Sequence, residues 1–203
     1  MGVASPVAGG EPRTLVVLGD SLSAAYGFDR EAGWVALLAD RIEEQEFPWR
    51  VVNSSVSGDR THEGLRRLPR VLERHEPALV LIALGGNDGL RGRNPTEIKG
   101  NLERLVAKAR DAGACVVLAG VRIPPNYGRT YTERFEAAYR DVAQTHDVPL
   151  IPKLLADVAE RREMMQEDGI HPTAEAQGQI LDNVWAVLAD ALQSEACASP
   201  DRP

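Results

Sequence analysis

A serine, a histidine and an aspartate in this chain have the surroundings expected of an acyl-transfer machine. Ser21 lies in Gly19-Asp-Ser-Leu22, directly after an apolar run. Asp168 and His171 stand together in Asp168-Gly-Ile-His-Pro172. Between these ends come Ser57-Gly-Asp59 and Gly85-Gly-Asn-Asp88. A serine hydroxyl is a weak nucleophile until a base takes its proton, and the base needs a partner that fixes its tautomer. The oxyanion that forms needs donors. Ser21 is therefore the candidate nucleophile, His171 the base and Asp168 its orienter. The Ser21 N–H, Gly58 and Asn87 are the candidate oxyanion hole. Glycine lets a carbonyl approach the backbone closely, and an asparagine amide stays a neutral donor at any working pH.

Each residue also has a plainer reading. Gly19-Asp-Ser21 could be a turn with Ser21 capping a helix, and Asp168-Gly169 is a common turn pair. Of the four histidines, His62, His75 and His146 border helices and read as solvated or dipole-pairing groups. His171 differs because Pro172 pushes it to an extended conformation. Glu167 is a rival orienter; Asp168 is favoured because Gly169 lets the loop curl back. Asp20, Asp59 and Asp88 are expected to hold loops through backbone bonds. Ser21 is not in a Gly-x-Ser-x-Gly context, so the strained elbow of the α/β-hydrolases is absent.

The elements that must position these residues alternate. Leu15–Leu18, Arg50–Asn53, Leu79–Leu84, Val116–Ala119 and Val148–Ile151 read as strands, several of them continuous apolar runs that suit a buried parallel sheet. Helical spacing marks Trp34–Ile42, Leu65–Leu72, Ile98–Ala112 and Phe135–Ala143. Leu154–Met165 also reads as helical. A last helix is expected to carry Pro172 in its first turn and to run through Leu192. The pattern predicts one α/β domain over 14–193: a five-stranded, mainly parallel sheet in a three-layer α/β/α sandwich, flavodoxin-like in outline. Ligands bind beyond the carboxyl ends of such strands, where all four blocks fall. Residues 1–13 read as a flexible leader and 194–203 as a disordered tail.

At 203 residues the chain is large enough to bury roughly 70% of its unfolded surface in one domain. Its net charge of −7 argues against nucleic acid or an anionic membrane surface as partner. No apolar run reaches the ~20 residues of a membrane span, and Met1–Gly10 lacks the basic and apolar regions of an intact signal peptide. The two cysteines suggest no disulfide scaffold: Cys115 reads as a core residue, Cys197 as part of the tail, and a bridge between them is not expected. No cysteine–histidine cluster has zinc spacing.

Taken together the blocks resemble those of the SGNH (GDSL) hydrolase superfamily, with Ser21, Gly58, Asn87 and His171 as its four lettered residues and Asp168 in its Asp-x-x-His position. Leu18–Tyr26, Gly85–Gly92, Pro125–Gly128 and Met165–Pro172 are similar to the bacterial members described as thioesterases, arylesterases and lysophospholipases. The likeness spans about Thr14 to Leu192. It implies a serine esterase with a Ser-His-Asp triad, acting on acyl esters and thioesters in lipid metabolism, with no metal and no cofactor. It also implies a monomer with a small-molecule acyl substrate, and a periplasmic or secreted location; without an export signal in the chain, the cytoplasm is the alternative. Ile123 and Pro124, after the fourth strand, are the candidate substrate wall, and Arg91–Pro95 is a loop that could move on binding. Two rivals remain. One is a carbohydrate esterase removing acetyl groups, against which the 5% aromatic content speaks. The other is a non-catalytic flavodoxin-like binding module, against which speaks a first loop poor in hydroxyl residues.

Overall fold

The computed structural model describes residues 11–198. Five strands, β1 (Arg13–Gly19), β2 (Trp49–Asn53), β3 (Leu79–Ala83), β4 (Cys115–Ala119) and β5 (Leu150–Ile151), form one sheet in the order β2-β1-β3-β4-β5. Every pairing is parallel. A parallel sheet is covered on both faces, which explains the unbroken apolar runs. β3 is buried at all five positions. Its side chains alternate: Leu79 and Leu81 join one core, Val80 and Ile82 the other.

The first core is closed by α1 (Trp34–Glu44) and α6 (Gln177–Gln193), through Trp34, Leu38, Ile180 and Val184 among others. The second is closed by α2 (Thr61–His75), α4 (Pro95–Asp111) and α5 (Arg129–Thr145), through Leu68, Leu102, Leu105 and Phe135. One-turn α3 (Gly86–Leu90) follows β3 directly. β1 is flanked by β2 on one side and β3 on the other, so the chain reverses its direction of travel there. In doubly wound sheets this switch point opens a crevice at the carboxyl ends of the strands.

Five expectations need correction. Leu154–Met165 is not an α-helix: it is a series of turns and a short 3₁₀ segment, Arg162–Met164. Leu154 and Val158 are both fully buried four residues apart, which mimics a helical stripe, but Asp157 between them has φ of 58° and breaks the run. Pro172 does not open the last helix. It pairs with Met165 in an antiparallel bridge, a 3₁₀ turn follows at Ala174–Ala176, and α6 starts at Gln177. Arg13, expected in the leader, already belongs to β1; the rest of that expectation falls mainly on residues 1–10, which lie outside the described residues.

The tail is the largest departure. Ser194 leads into α7 (Glu195–Ala198), and Cys197 is buried in the α1/α6 core. There it forms a disulfide with Cys115 at the start of β4, with Cα atoms 5.6 Å apart. The separation of 82 residues hid this proximity: only the return of α6 across the sheet brings the chain end to β4. Residues 199–203 lie outside the described residues.

Candidate active site

β1 ends at Gly19, and the next residues turn sharply, with the Ser23 and Ala24 N–H groups donating to the Asp20 carbonyl. This turn holds Ser21 at the sheet edge. His171 arrives on a loop closed at its base by the Met165–Pro172 bridge and by the Thr173 N–H bonded to Met164. The two side chains meet: His171 Nε2 is 2.9 Å from Ser21 Oγ. On the far side of the ring, Nδ1 is 2.6 Å from Asp168 Oδ2. Residues 150 positions apart thus form one hydrogen-bonded line with the carboxylate.

Asp168 is fixed in turn by its own loop. Its Oδ1 accepts from the N–H groups of Ile170 and His171. Gly169 has φ of 65°, the curl expected of it. Slight burial pushes the Asp168 carboxyl up, but the His171 ring and the two backbone N–H groups outweigh it and hold it at about 2. A carboxylate this acidic stays ionised beside an imidazole and keeps the ring's second nitrogen turned to the serine. Glu167, the rival orienter, makes no bond to His171.

The candidate oxyanion donors stand on three neighbouring strand ends. Ser21 follows β1, Gly58 follows β2, and Asn87 lies in α3 after β3. The Ser21 and Gly58 N–H groups donate to no acceptor among the described residues. Gly58 has φ of 85°, and no protein atom lies within 4 Å of where a Cβ would stand. The Asn87 amide donates to the Asp59 carbonyl at 3.0 Å and, more weakly, to Asp20 Oδ2 at 3.3 Å. Asp59 and Asn87 are thereby tied, which sets the Gly58 loop against α3.

The three neighbouring aspartates have distinct roles. Asp20 is nearly fully buried and also accepts from the Leu22 N–H. Burial pushes its carboxyl up to about 6, against the pull of the Leu22 N–H, the His171 ring and the Asn87 amide. Asp88 accepts from the Thr61 N–H and hydroxyl and so pins the start of α2 to α3. Asp59 departs from its expected backbone role: its side chain pairs with Arg67 Nε at 2.6 Å.

Arg67 is a further residue of the site that the sequence does not mark. Besides Asp59, its guanidinium donates to the Gly19 carbonyl at 3.0 Å and to the Ser54 carbonyl. One planar fork thus ties the ends of β1 and β2 to the Gly58 loop. Nothing in the local pattern marks it, because an arginine on an amphipathic helix reads as solvated surface. Tyr26 was also unmarked; its ring lies on the His171 ring with centroids 4.3 Å apart.

A cleft of about 600 Å³ opens beside the trio. Ser21, Asn87 and His171 line it at one part, and Leu22, Leu90, Val121, Ile123, Pro124 and Ile170 give it apolar walls. Ile123 and Pro124, the candidate substrate wall, are both among its lining residues. Arg122 lines it as well and is occupied by Glu136 and Glu160. Arg91–Pro95 does not line the cleft. Among the described residues no group of His, Cys, Asp and Glu has the arrangement of a metal site.

A parallel sheet in this order, with serine, imidazole and carboxylate aligned at its carboxyl edge beside an apolar cleft, defines a serine acylhydrolase. The chain belongs to the GDSL-like lipase/acylhydrolase family, whose sequence pattern matches residues 17–178. It is 49% identical to esterase TesA of Pseudomonas aeruginosa, over 87% of this chain and 88% of that protein. It is 45% identical to thioesterase 1/protease 1/lysophospholipase L1 of Escherichia coli K12, over 83% and 80%. Among solved structures, a crystal structure of TesA covers 86% of this chain and 97% of its own, with a TM-score of 0.84. The psychrotrophic esterase EstA of Pseudoalteromonas, inhibited by monoethylphosphonate, is 38% identical, with a TM-score of 0.85, 90% of this chain and 100% of that one covered.

Proposed function

We propose that Ser21, His171 and Asp168 are the catalytic triad of a serine esterase that cleaves acyl esters and thioesters. The observation that carries this reading is the unbroken line from Asp168 Oδ2 through the imidazole to Ser21 Oγ, at 2.6 and 2.9 Å. His171 Nε2 takes the hydroxyl proton as Oγ attacks the acyl carbonyl. Asp168 holds the Nδ1–H and stabilises the imidazolium that results. The N–H groups of Ser21 and Gly58 bind the oxyanion. Asn87 contributes the amide hydrogen now spent on the long contact to Asp20. The tetrahedral intermediate collapses as His171 returns the proton to the leaving alcohol or thiol, leaving an acyl-enzyme. Water, deprotonated by the same imidazole, attacks that ester and frees Ser21 and the acid.

The names of the relatives support aryl esters, acyl thioesters and lysophospholipids as substrates, and the inhibition of EstA by a phosphonate supports attack by a serine. The apolar walls around Ile123 and Pro124 suit an acyl chain better than a sugar. The Cys115–Cys197 bridge favours an oxidising compartment, periplasmic or extracellular, over the cytoplasm. A monomer is the expected state, since one chain supplies every residue of the site.

Turnover of a chromogenic aryl ester by wild type and Ser21→Ala tests the triad, with circular dichroism on both. Truncation is expected to cut kcat by at least about 10⁴-fold in a folded protein. A folded variant with wild-type turnover overturns the reading.

A further inference from the structure

The loop that carries His171 has no strand or helix to set its distance from Ser21. It runs from Met164 to Thr173 through turns and a single bridge, and the sheet ladder stops well before it. Yet a hydrogen bond between Ser21 and His171 demands placement to a few tenths of an ångström. Something else must fix the loop.

Gln166 lies across the gap. Its Nε2 donates one hydrogen to the carbonyl of Pro172, the residue after the histidine, at 2.9 Å. The other goes to the carbonyl of Tyr26, on the turn that carries Ser21, at 2.8 Å. Its backbone N–H donates to the carbonyl of His171 itself at 2.7 Å. Both amide hydrogens are used, each on a different side of the catalytic pair. Gly27 makes room for this: a Cβ there would stand 2.6 Å from Gln166 Oε1. The Tyr26 ring, carried by the same peptide that Gln166 grips, lies on the imidazole at 4.3 Å.

We propose that Gln166 is a positioning residue: its side-chain amide clasps the nucleophile turn to the histidine loop and so sets the Ser21–His171 distance. The inference rests on the triad reading. Gln166 touches no reacting atom and does not line the cleft. Its loss should therefore misplace the base without weakening the hold on the acyl chain. A misplacement near 1 Å costs roughly 100-fold in rate.

The test is steady-state kinetics on a chromogenic ester for wild type, Gln166→Met and Gln166→Glu, with thermal unfolding of each and Ser21→Ala in parallel. Methionine keeps the length and removes both donors; glutamate keeps the shape and sets an acceptor against two carbonyl oxygens. The expected result is a 10- to 100-fold fall in kcat for Gln166→Met with KM within threefold, and a fall at least as large for Gln166→Glu. If one variant fails to fold, the kcat and KM of the other decide. The proposal is overturned if a folded Gln166 variant keeps kcat within twofold of wild type, or loses activity through KM alone. An inactive Ser21→Ala beside such a silent Gln166 variant removes the clasp and leaves the triad. An active Ser21→Ala removes both.

Discussion

Asp20 sits one residue from Ser21, the proposed nucleophile, and is 2% exposed, so its carboxyl is cut off from water. Burial raises its affinity for a proton to about 6, above the ordinary 3.8 that it has once the chain unfolds. The folded protein therefore binds that proton more tightly. The stability it contributes is complete below about pH 4 and is lost as the pH rises through about 6. Asp20→Asn cannot ionise and lacks that loss, while its carbonyl can still accept from the Leu22 N–H. Urea unfolding should therefore favour the variant over wild type by about 2 kcal/mol more at pH 8 than at pH 4. A difference that does not change with pH would show that the carboxylate is not strained by burial. What holds an acidic group here is its bonding: it accepts from Leu22 on the serine turn and from Asn87 on the oxyanion side.

At the scale of elements, the serine turn is gripped from below by α1. The indole N–H of Trp34, 1% exposed, donates to the Leu22 carbonyl at 3.0 Å. Its backbone N–H donates to Gln177 Oε1, at the start of α6, at 3.1 Å. The first residue of one helix and the first of another thus meet under Leu22, the residue after Ser21. Trp34→Phe keeps most of the packing but leaves the buried Leu22 carbonyl without a partner. Chemical unfolding should register a loss of about 1–3 kcal/mol, and esterase activity should fall with it as the turn loosens. A variant as stable as wild type would mean that the indole bond is replaced without cost. The same scale explains why Leu154–Met165 carries a helical stripe without a helix. Periodic burial was real, but it came from a turn series that seals the α1/α6 core, not from a helix.

For the whole molecule, the decisive link is covalent. The Cys115–Cys197 bridge joins the carboxyl-terminal helix to the sheet and closes a segment of 82 residues. Chain-entropy arguments put its contribution at about 4 kcal/mol. For a domain of this size that corresponds to roughly 10 °C in Tm. Unfolding followed with and without dithiothreitol should show that drop, and thiol labelling of the untreated, unfolded protein should find no free cysteine in this pair. The bridge lies at the opposite end of β4 from the cleft, since Cys115 begins the strand and Val121 and Ile123 follow its end. The esterase rate well below the melting point should therefore stay near that of the oxidised protein.

The chemistry-bearing blocks were legible in the sequence because parallel strands end abruptly, and residues placed just past those ends share one edge. Apolar runs closed by Gly19 and Gly85 located the edge, and the Asp168–His171 spacing pointed to the imidazole that meets Ser21. Composition and periodicity also fixed the class of fold, since a sheet covered on both faces leaves no polar alternation in its strands. Tertiary structure alone decided what long-range bonds decide: Arg67 reaching three carbonyl and carboxylate groups across two strand ends, Gln166 spanning two loops, and Cys197 reaching β4. A side chain's local neighbours reveal its helix or turn, but a guanidinium or thiol that finds its partner tens of residues away does so only after the layers pack, and no short window of sequence encodes that distance.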